Sequence, residues 1–234
     1  MVSERHCVVR DGLGAAWPVC LGYLPIGLSF GVLAQKAGLG PLHVLLMSVL
    51  VFAGGSQFIA VAMIGSGVSA VTIVATTFVV NLRHLLMSSA MSVHFPGISR
   101  RFLALFAYGV TDESFAVNMA RFRGEGWDRW RALTMNQAAN ACWVVSTVAG
   151  VYIGNLVPPG AFGIDYALTG MFICLLTFQF RERLHIITAV VAAVLSVSFS
   201  LIFQGNGHII AASCAAATIG FLIKRHSRKR KVHA

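Results

Sequence analysis

The residues best equipped for chemistry are Asn81-Leu82-Arg83-His84 and Asp112-Glu113. They combine a guanidinium, an imidazole, an amide and two carboxyls. Arg83 can grip a carboxylate through two parallel N–H bonds. His84 can exchange a proton near neutral pH. The two adjacent acids point about 100° apart on a helix, so at most one faces any single site. Both groups interrupt apolar runs, Val68–Ser92 and Phe102–Met119. An arginine near the middle of a bilayer costs roughly 2.5–3.5 kcal/mol on insertion scales, so it needs a partner, a wet cavity or a ligand. Two readings of Arg83 follow: a receptor for a substrate carboxylate, or an internal ion pair with Asp112 or Glu113. The acids read either as proton carriers in a transport cycle or as structural partners of Arg83. His84 reads as a titrating group or as a hydrogen-bonding one.

Two further stretches have the composition to position such groups. Pro18, Gly22, Pro25, Gly27 and Gly31 punctuate the first apolar run. Proline removes a backbone donor and bends or breaks a helix. Gly27 and Gly31 are spaced either for close helix packing or for an unwound backbone facing substrate. In the second run, Gly54-Gly55-Ser56-Gln57 lies between Phe52 and Phe58. A helix broken there would aim free N–H groups and the positive end of its dipole at an anionic group. The alternative is a small-residue packing face with Gln57 bonded to a neighbouring helix. In the fifth run Asn136 and Asn140 share a helix face, at i, i+4 spacing.

The elements around these residues are membrane helices. Of 234 residues, 57% are hydrophobic and 11% charged, and mean hydropathy is +0.77. Soluble domains average about 45–50% apolar and about 25% charged. Eight apolar segments are near the roughly 20 residues a span needs: Leu13–Ala34, Leu42–Ile64, Val68–Ser92, Phe102–Met119, Ala132–Gly154, Phe162–Phe180, Ile186–Phe203 and His208–Ile223. The expected fold is an all-α polytopic transmembrane bundle of seven to eight spans with discontinuous or kinked helices. It comprises a cytoplasmic segment at 1–12, a transport domain at 13–223 and a basic cytoplasmic tail at 224–234. Leu13–Leu33 is too long for a signal h-region and reads as the first span.

The net charge of +10 is a topology signal here. With a cytoplasmic N-terminus and eight crossings, one side holds Arg5, Arg10, Arg121, Arg123, Arg129, Arg131, Arg181, Arg183 and the tail. The other holds Lys36, Arg100 and Arg101. This follows the positive-inside rule, with Arg100 and Arg101 as the misfit. They would change sides if an earlier segment were re-entrant, which leaves seven crossings open. The tail follows an apolar span without interleaved aromatics, which favours acidic lipid over nucleic acid. Five scattered cysteines without a CxxC read as small buried hydrophobes, with no metal site or disulfide frame.

Five motifs in order resemble the AzlC-type family, the large subunit of branched-chain amino acid exporters. They are Pro25-Ile26-Gly27-Leu28-Ser29-Phe30-Gly31, Phe52-Ala53-Gly54-Gly55-Ser56-Gln57-Phe58, Asn81-Leu82-Arg83-His84, Thr111-Asp112-Glu113-Ser114-Phe115, and Ile164-Asp165-Tyr166-Ala167-Leu168 with Met171-Phe172. Ile26, where the family often has phenylalanine, and Thr169-Gly170 are mild departures. The resemblance implies export of leucine, isoleucine and valine across the bacterial inner membrane, with a small AzlD-type membrane subunit and no cofactor. On that reading Pro25, Gly27, Gly54, Gly55, Ser56, Gln57, Asn81, Arg83 and His84 are candidate substrate-binding residues. Asp112 and Glu113 are candidates for proton coupling or ion pairing.

A secondary transporter is the first of three classes that the sequence allows. No GxxxxGK[ST] pattern is present, so the chain has no ATPase engine of its own, and the expected drive is an ion gradient or the substrate's own gradient. An intramembrane hydrolase would need Ser56 as nucleophile and His84 as base, without a GxSxG elbow. A non-transporting scaffold, or the binding subunit of a larger importer, is the other alternative.

Overall fold

The computed structural model describes residues 2–124, 126–156, 183–202 and 215–223, with Tyr166, Gly170, Ile173, Thr177 and Ala212. Its regular elements among these residues are helices. The chain divides into two units, Met1–Thr169 and Gly170–Ala234.

Three helices of the first unit are long enough to span a bilayer. They are α1 (Val2–Lys36), α4 (Ala70–Met91) and α7 (Arg129–Gly154). The stretches His6–Lys36 and Ala70–His94 are also apolar enough to do so. The N-terminal residues expected as a separate segment are the first turns of α1. That helix is unbroken through Pro18 and Pro25, where a bend or break was expected. Side chains of α7 bond its backbone beside the prolines: Cys142 Sγ donates to the Cys20 carbonyl at 3.6 Å and Ser146 Oγ to that of Tyr23 at 3.4 Å. The two helices run parallel. Gly12 faces Arg131 and Thr134, Gly27 faces Ser146, and Gly154 faces Val32 and Gln35. Gly31 and Gly150 bring the two backbones together, since a Cβ on Gly31 would lie 2.7 Å from the Gly150 Cα.

The other helices are half as long. They are α2 (Pro41–Leu50), α3 (Gly54–Gly65), α5 (Arg100–Tyr108) and α6 (Asp112–Phe122), of 10, 12, 9 and 11 residues. At 1.5 Å per residue each reaches about 14–18 Å, half of the roughly 30 Å hydrocarbon core. They form two pairs that turn back on themselves. The α2–α3 pair leaves the Lys36 end of α1 and returns to it, with Gly65 packed on Ala37. The α5–α6 pair starts and finishes at the opposite end. There Phe95, just before α5, stacks edge-on against Phe122 at 5.6 Å, and Phe102 meets Trp130 at 5.3 Å. Segments Leu42–Ile64 and Phe102–Met119, expected as crossings, are therefore re-entrant. Each carries a break at its centre that lets it reverse. A return also moves Arg100 and Arg101 to the end that carries Arg121–Arg131, which removes the charge misfit.

The breaks have local causes. At Val51–Ala53 the chain leaves α2, and buried Phe52 adopts φ +32°, a region that non-glycine residues rarely occupy. At Gly109–Thr111 the chain extends, with Thr111 at φ −121° and ψ 175°. Thr111 and Ser114 then form a reciprocal capping box that starts α6. Asp128 caps α7, Ser69 caps α4 and Ser99 caps α5. Near the arginine-rich end an apolar cluster of Met91, Phe95, Phe106, Val110, Ala132 and Leu133 holds the α5–α6 pair to α4 and α7.

In the second unit, α8 (Arg183–Ile202) fills the expected Ile186–Phe203 segment. Residues 215–223 are helical, and Gly220 lies against Thr188 of α8. The expected span Phe162–Phe180 falls almost entirely outside the described residues. So do the start of His208–Ile223, Asp165, Pro158-Pro159-Gly160 and the basic tail.

Candidate functional site

One face of α7 holds both breaks. Near α2–α3, the Trp143 indole N–H donates to Gln57 Oε1 at 2.9 Å, and Gln57 Nε2 donates to Ser48 Oγ at 3.3 Å. Ser48 in turn bonds Thr147 at 2.9 Å. Near α5–α6, Asn136 Nδ2 donates to the Phe106 carbonyl at 3.4 Å while its Oδ1 accepts from Asn118 at 2.8 Å. Asn140 Nδ2 donates to the Tyr108 hydroxyl at 3.2 Å. Ser48, Gln57, Asn118, Asn136 and Thr147 are all buried, so each bond spares a polar group the full cost of dehydration.

Tyr23 of α1 sits where the two tips approach. Its ring packs edge-on against Trp143 at 5.2 Å and Phe52 at 6.4 Å. Its hydroxyl donates to Glu113 Oε2 at 2.8 Å and bonds Thr111 Oγ1 at 2.7 Å. The phenol therefore ties a full-length helix to the first turn of α6.

Beside this cluster α4 presents the polar run found in the sequence. Arg83 Nη1 pairs with Asp112 Oδ2 at 2.6 Å. The two side chains remain 32% and 36% exposed, so the pair is reachable by a small solute. His84 Nδ1 lies 2.9 Å from the Val110 carbonyl, within the second break. A carbonyl only accepts, so Nδ1 carries a proton, and in a neutral ring Nε2 is left with a lone pair. Three buried polar atoms of this run have no partner among the described residues: Asn81 Oδ1, Arg83 Nε and His84 Nε2. They present an acceptor, a donor and a group that serves as either.

The sequence-derived candidates thus fall into two sets. Asn81, Arg83, His84, Asp112 and Glu113 come together where α4 meets the start of α6. Gly54, Gly55, Ser56 and Gln57 form the first turn of α3. There Gly54 lies against Trp143, where an added Cβ would sit 3.1 Å from its ring, and Ser56 Oγ donates back to the Ala53 carbonyl at 3.0 Å. No side chain caps that helix. Gly27 is in the α1–α7 contact, and Pro25 is exposed on α1. Tyr23, Tyr108, Trp143 and Ser48 are absent from the sequence-derived set. A lone aromatic or hydroxyl in an apolar run carries no spacing signal.

The description "AzlC protein" belongs to the family profile that matches residues 18–157. That stretch contains both re-entrant pairs and all of α4. The Branched-chain amino acid transport protein AzlC of Bacillus subtilis (strain 168) is 26% identical over 231 residues, 98% of this chain and 91% of that protein. An uncharacterized membrane protein of Archaeoglobus fulgidus is 28% identical over 91% of this chain and 94% of its own length. The Inner membrane protein YgaZ of Escherichia coli (strain K12) is 27% identical over 80% of each chain. No solved structure matches the chain. With the match covering more than half of its length, this membrane protein belongs to the AzlC family.

Proposed function

We propose that this chain exports branched-chain amino acids across the bacterial inner membrane as a proton-coupled secondary transporter, together with a small AzlD-type subunit. The observation that carries the reading is the Arg83–Asp112 pair, a third exposed and flanked by the unpartnered atoms of Asn81, Arg83 and His84. A zwitterion matches such a pair with both of its ends. Its carboxylate takes Arg83 through Nε and an Nη, replacing Asp112, and its ammonium takes the released Asp112. Asn81 Oδ1 offers the ammonium a second acceptor. Glu113, held by Tyr23, carries the coupled proton. The printed name of the Bacillus subtilis relative, which covers almost the whole chain, supports the substrate class.

Ser56 and His84 support transport over hydrolysis. The Ser56 hydroxyl is buried and donates to its own turn, and His84 is engaged with Val110. Neither is aimed at the other as a nucleophile and base would be.

Counterflow in liposomes tests the reading. Vesicles containing the chain and its small partner, preloaded with leucine, are expected to accumulate labelled leucine, whereas vesicles carrying Arg83→Ala are not. Wild-type counterflow by an inserted Arg83→Ala protein would remove the receptor from the scheme.

A further inference from the structure

The arginine-rich end of the first unit holds a cavity of about 500 Å³ that the transport scheme does not use. It opens where the α5–α6 pair, the turn after α4 and the start of α7 meet. His94, Phe95, Phe122, Trp127, Arg129 and Trp130 line it. The ring walls are ordered by stacking: His94 lies flat on Phe122 at 4.4 Å, and the Trp127 indole N–H donates to Asn118 Oδ1 at 3.0 Å. Two guanidiniums lie over its aromatic walls, that of Arg129 from within the lining and that of Arg121 from outside it. That of Arg129 lies 5.4 Å over Trp130 and 5.9 Å over Phe102, and that of Arg121 lies 5.5 Å over Trp127. Arg100, Arg101 and Arg123 are exposed at the same end.

Among the described residues the arginines Arg100, Arg101, Arg121, Arg123 and Arg129 at this end are not paired with acids. Asp128, the acid lining the cavity, is already engaged. Its Oδ1 accepts from the Trp130 and Arg131 amides at 2.8 and 2.9 Å, and its Oδ2 from Arg131 Nη1 at 2.7 Å. Unmatched cations around an aromatic hollow suit an anion that carries an apolar body. Trp127 and Trp130 stand at the end of the apolar helices, the level at which such rings meet headgroups.

We propose that this cavity binds the phosphate headgroup of an acidic phospholipid, with Arg121 and Arg129 on the phosphate and Phe95 and Phe122 against the glycerol and first acyl carbons. The site stands apart from the Arg83 scheme and does not depend on the transported solute. Native mass spectrometry of the purified chain, exchanged into mixed phosphatidylglycerol and phosphatidylcholine, reads it directly. Wild type is expected to retain phosphatidylglycerol preferentially. The double variant Arg121→Gln, Arg129→Gln is expected to lose roughly 25-fold of that preference, at about fivefold per basic residue. The double variant Arg121→Lys, Arg129→Lys keeps the charge and is expected to keep most of the preference, and it controls for folding. Equal preference in wild type and the glutamine variant would overturn the site. Displacement of the bound lipid by inorganic phosphate alone would overturn its assignment to lipid.

Discussion

Tyr108, at the tip of one re-entrant pair, donates its hydroxyl proton to the carbonyl of Val49, at the tip of the other. The Val49 carbonyl belongs to the last turn of α2, where backbone acceptors lack intrahelical partners. The Tyr108 hydroxyl meanwhile accepts from Asn140 of α7. Two half-helix pairs entering from opposite ends are thus joined through one phenol, steadied by a full-length helix.

Arg83→Ala is expected to reduce leucine efflux at least tenfold without loss of membrane insertion, because a two-pronged charged contact accounts for about 1.5–3 kcal/mol. Asp112→Asn should behave differently. It frees Arg83 of an internal competitor but also removes the acceptor for the substrate ammonium, so labelled leucine should half-saturate transport at a higher concentration while maximal turnover falls. Stability should change by no more than about 1 kcal/mol, since the pair is a third exposed and partly screened. A lower half-saturating concentration in Asp112→Asn would show that the acid only competes for Arg83 and takes no part in holding the ammonium.

Tyr23→Phe retains the ring packing on Trp143 and Phe52 but strips Glu113 and Thr111 of a shared partner. The expected cost is about 1–2 kcal/mol, read from the unfolding midpoint in detergent, with slower transport. Unchanged stability and unchanged efflux would mean that water replaces the hydroxyl without penalty.

Gly31→Val and Gly150→Val should abolish recovery of monodisperse protein, because each places a side chain inside the backbone of the opposing helix. Gly14→Ala and Gly22→Ala, which meet nothing within 4 Å, should be recovered like wild type. Equal recovery of all four variants would contradict the close α1–α7 contact.

Single cysteines at positions 36, 101 and 123, in a background without native cysteines, report the topology. Arg101→Cys and Arg123→Cys should react with an impermeant maleimide from one face of the membrane and Lys36→Cys from the other. Labelling of positions 101 and 123 from opposite faces would restore the Phe102–Met119 crossing.

Much of the first unit was legible in its sequence. The apolar runs, the polar interruptions at Arg83 and Asp112, and the weakness of the helix at Gly54-Gly55 all mark real features. The reversals were not legible, for a physical reason. Two half-length helices joined by a short break have the same length and hydropathy as one crossing helix. Arg100 and Arg101 were the one residual sign, because their charge fitted the wrong side. The Pro18 and Pro25 signal pointed to a bend or break, whereas α1 runs on with α7 packed along it. Tyr23 and Tyr108 gave no warning, since their partners are 85 or more positions away in the case of Tyr23 (Thr111 and Glu113) and 59 in the case of Tyr108 (Val49).

Both α3 and α6 begin near Tyr23: Phe52, two residues before α3, packs on its ring at 6.4 Å, and Thr111, the cap of α6, bonds its hydroxyl at 2.7 Å. Each helix start carries about half a positive elementary charge. In α6 Asp112 and Glu113 offset it, while α3 has no acid in its first turn. The start of α3 therefore keeps its partial positive charge unopposed within its own first turn, whereas that of α6 is met by carboxylates.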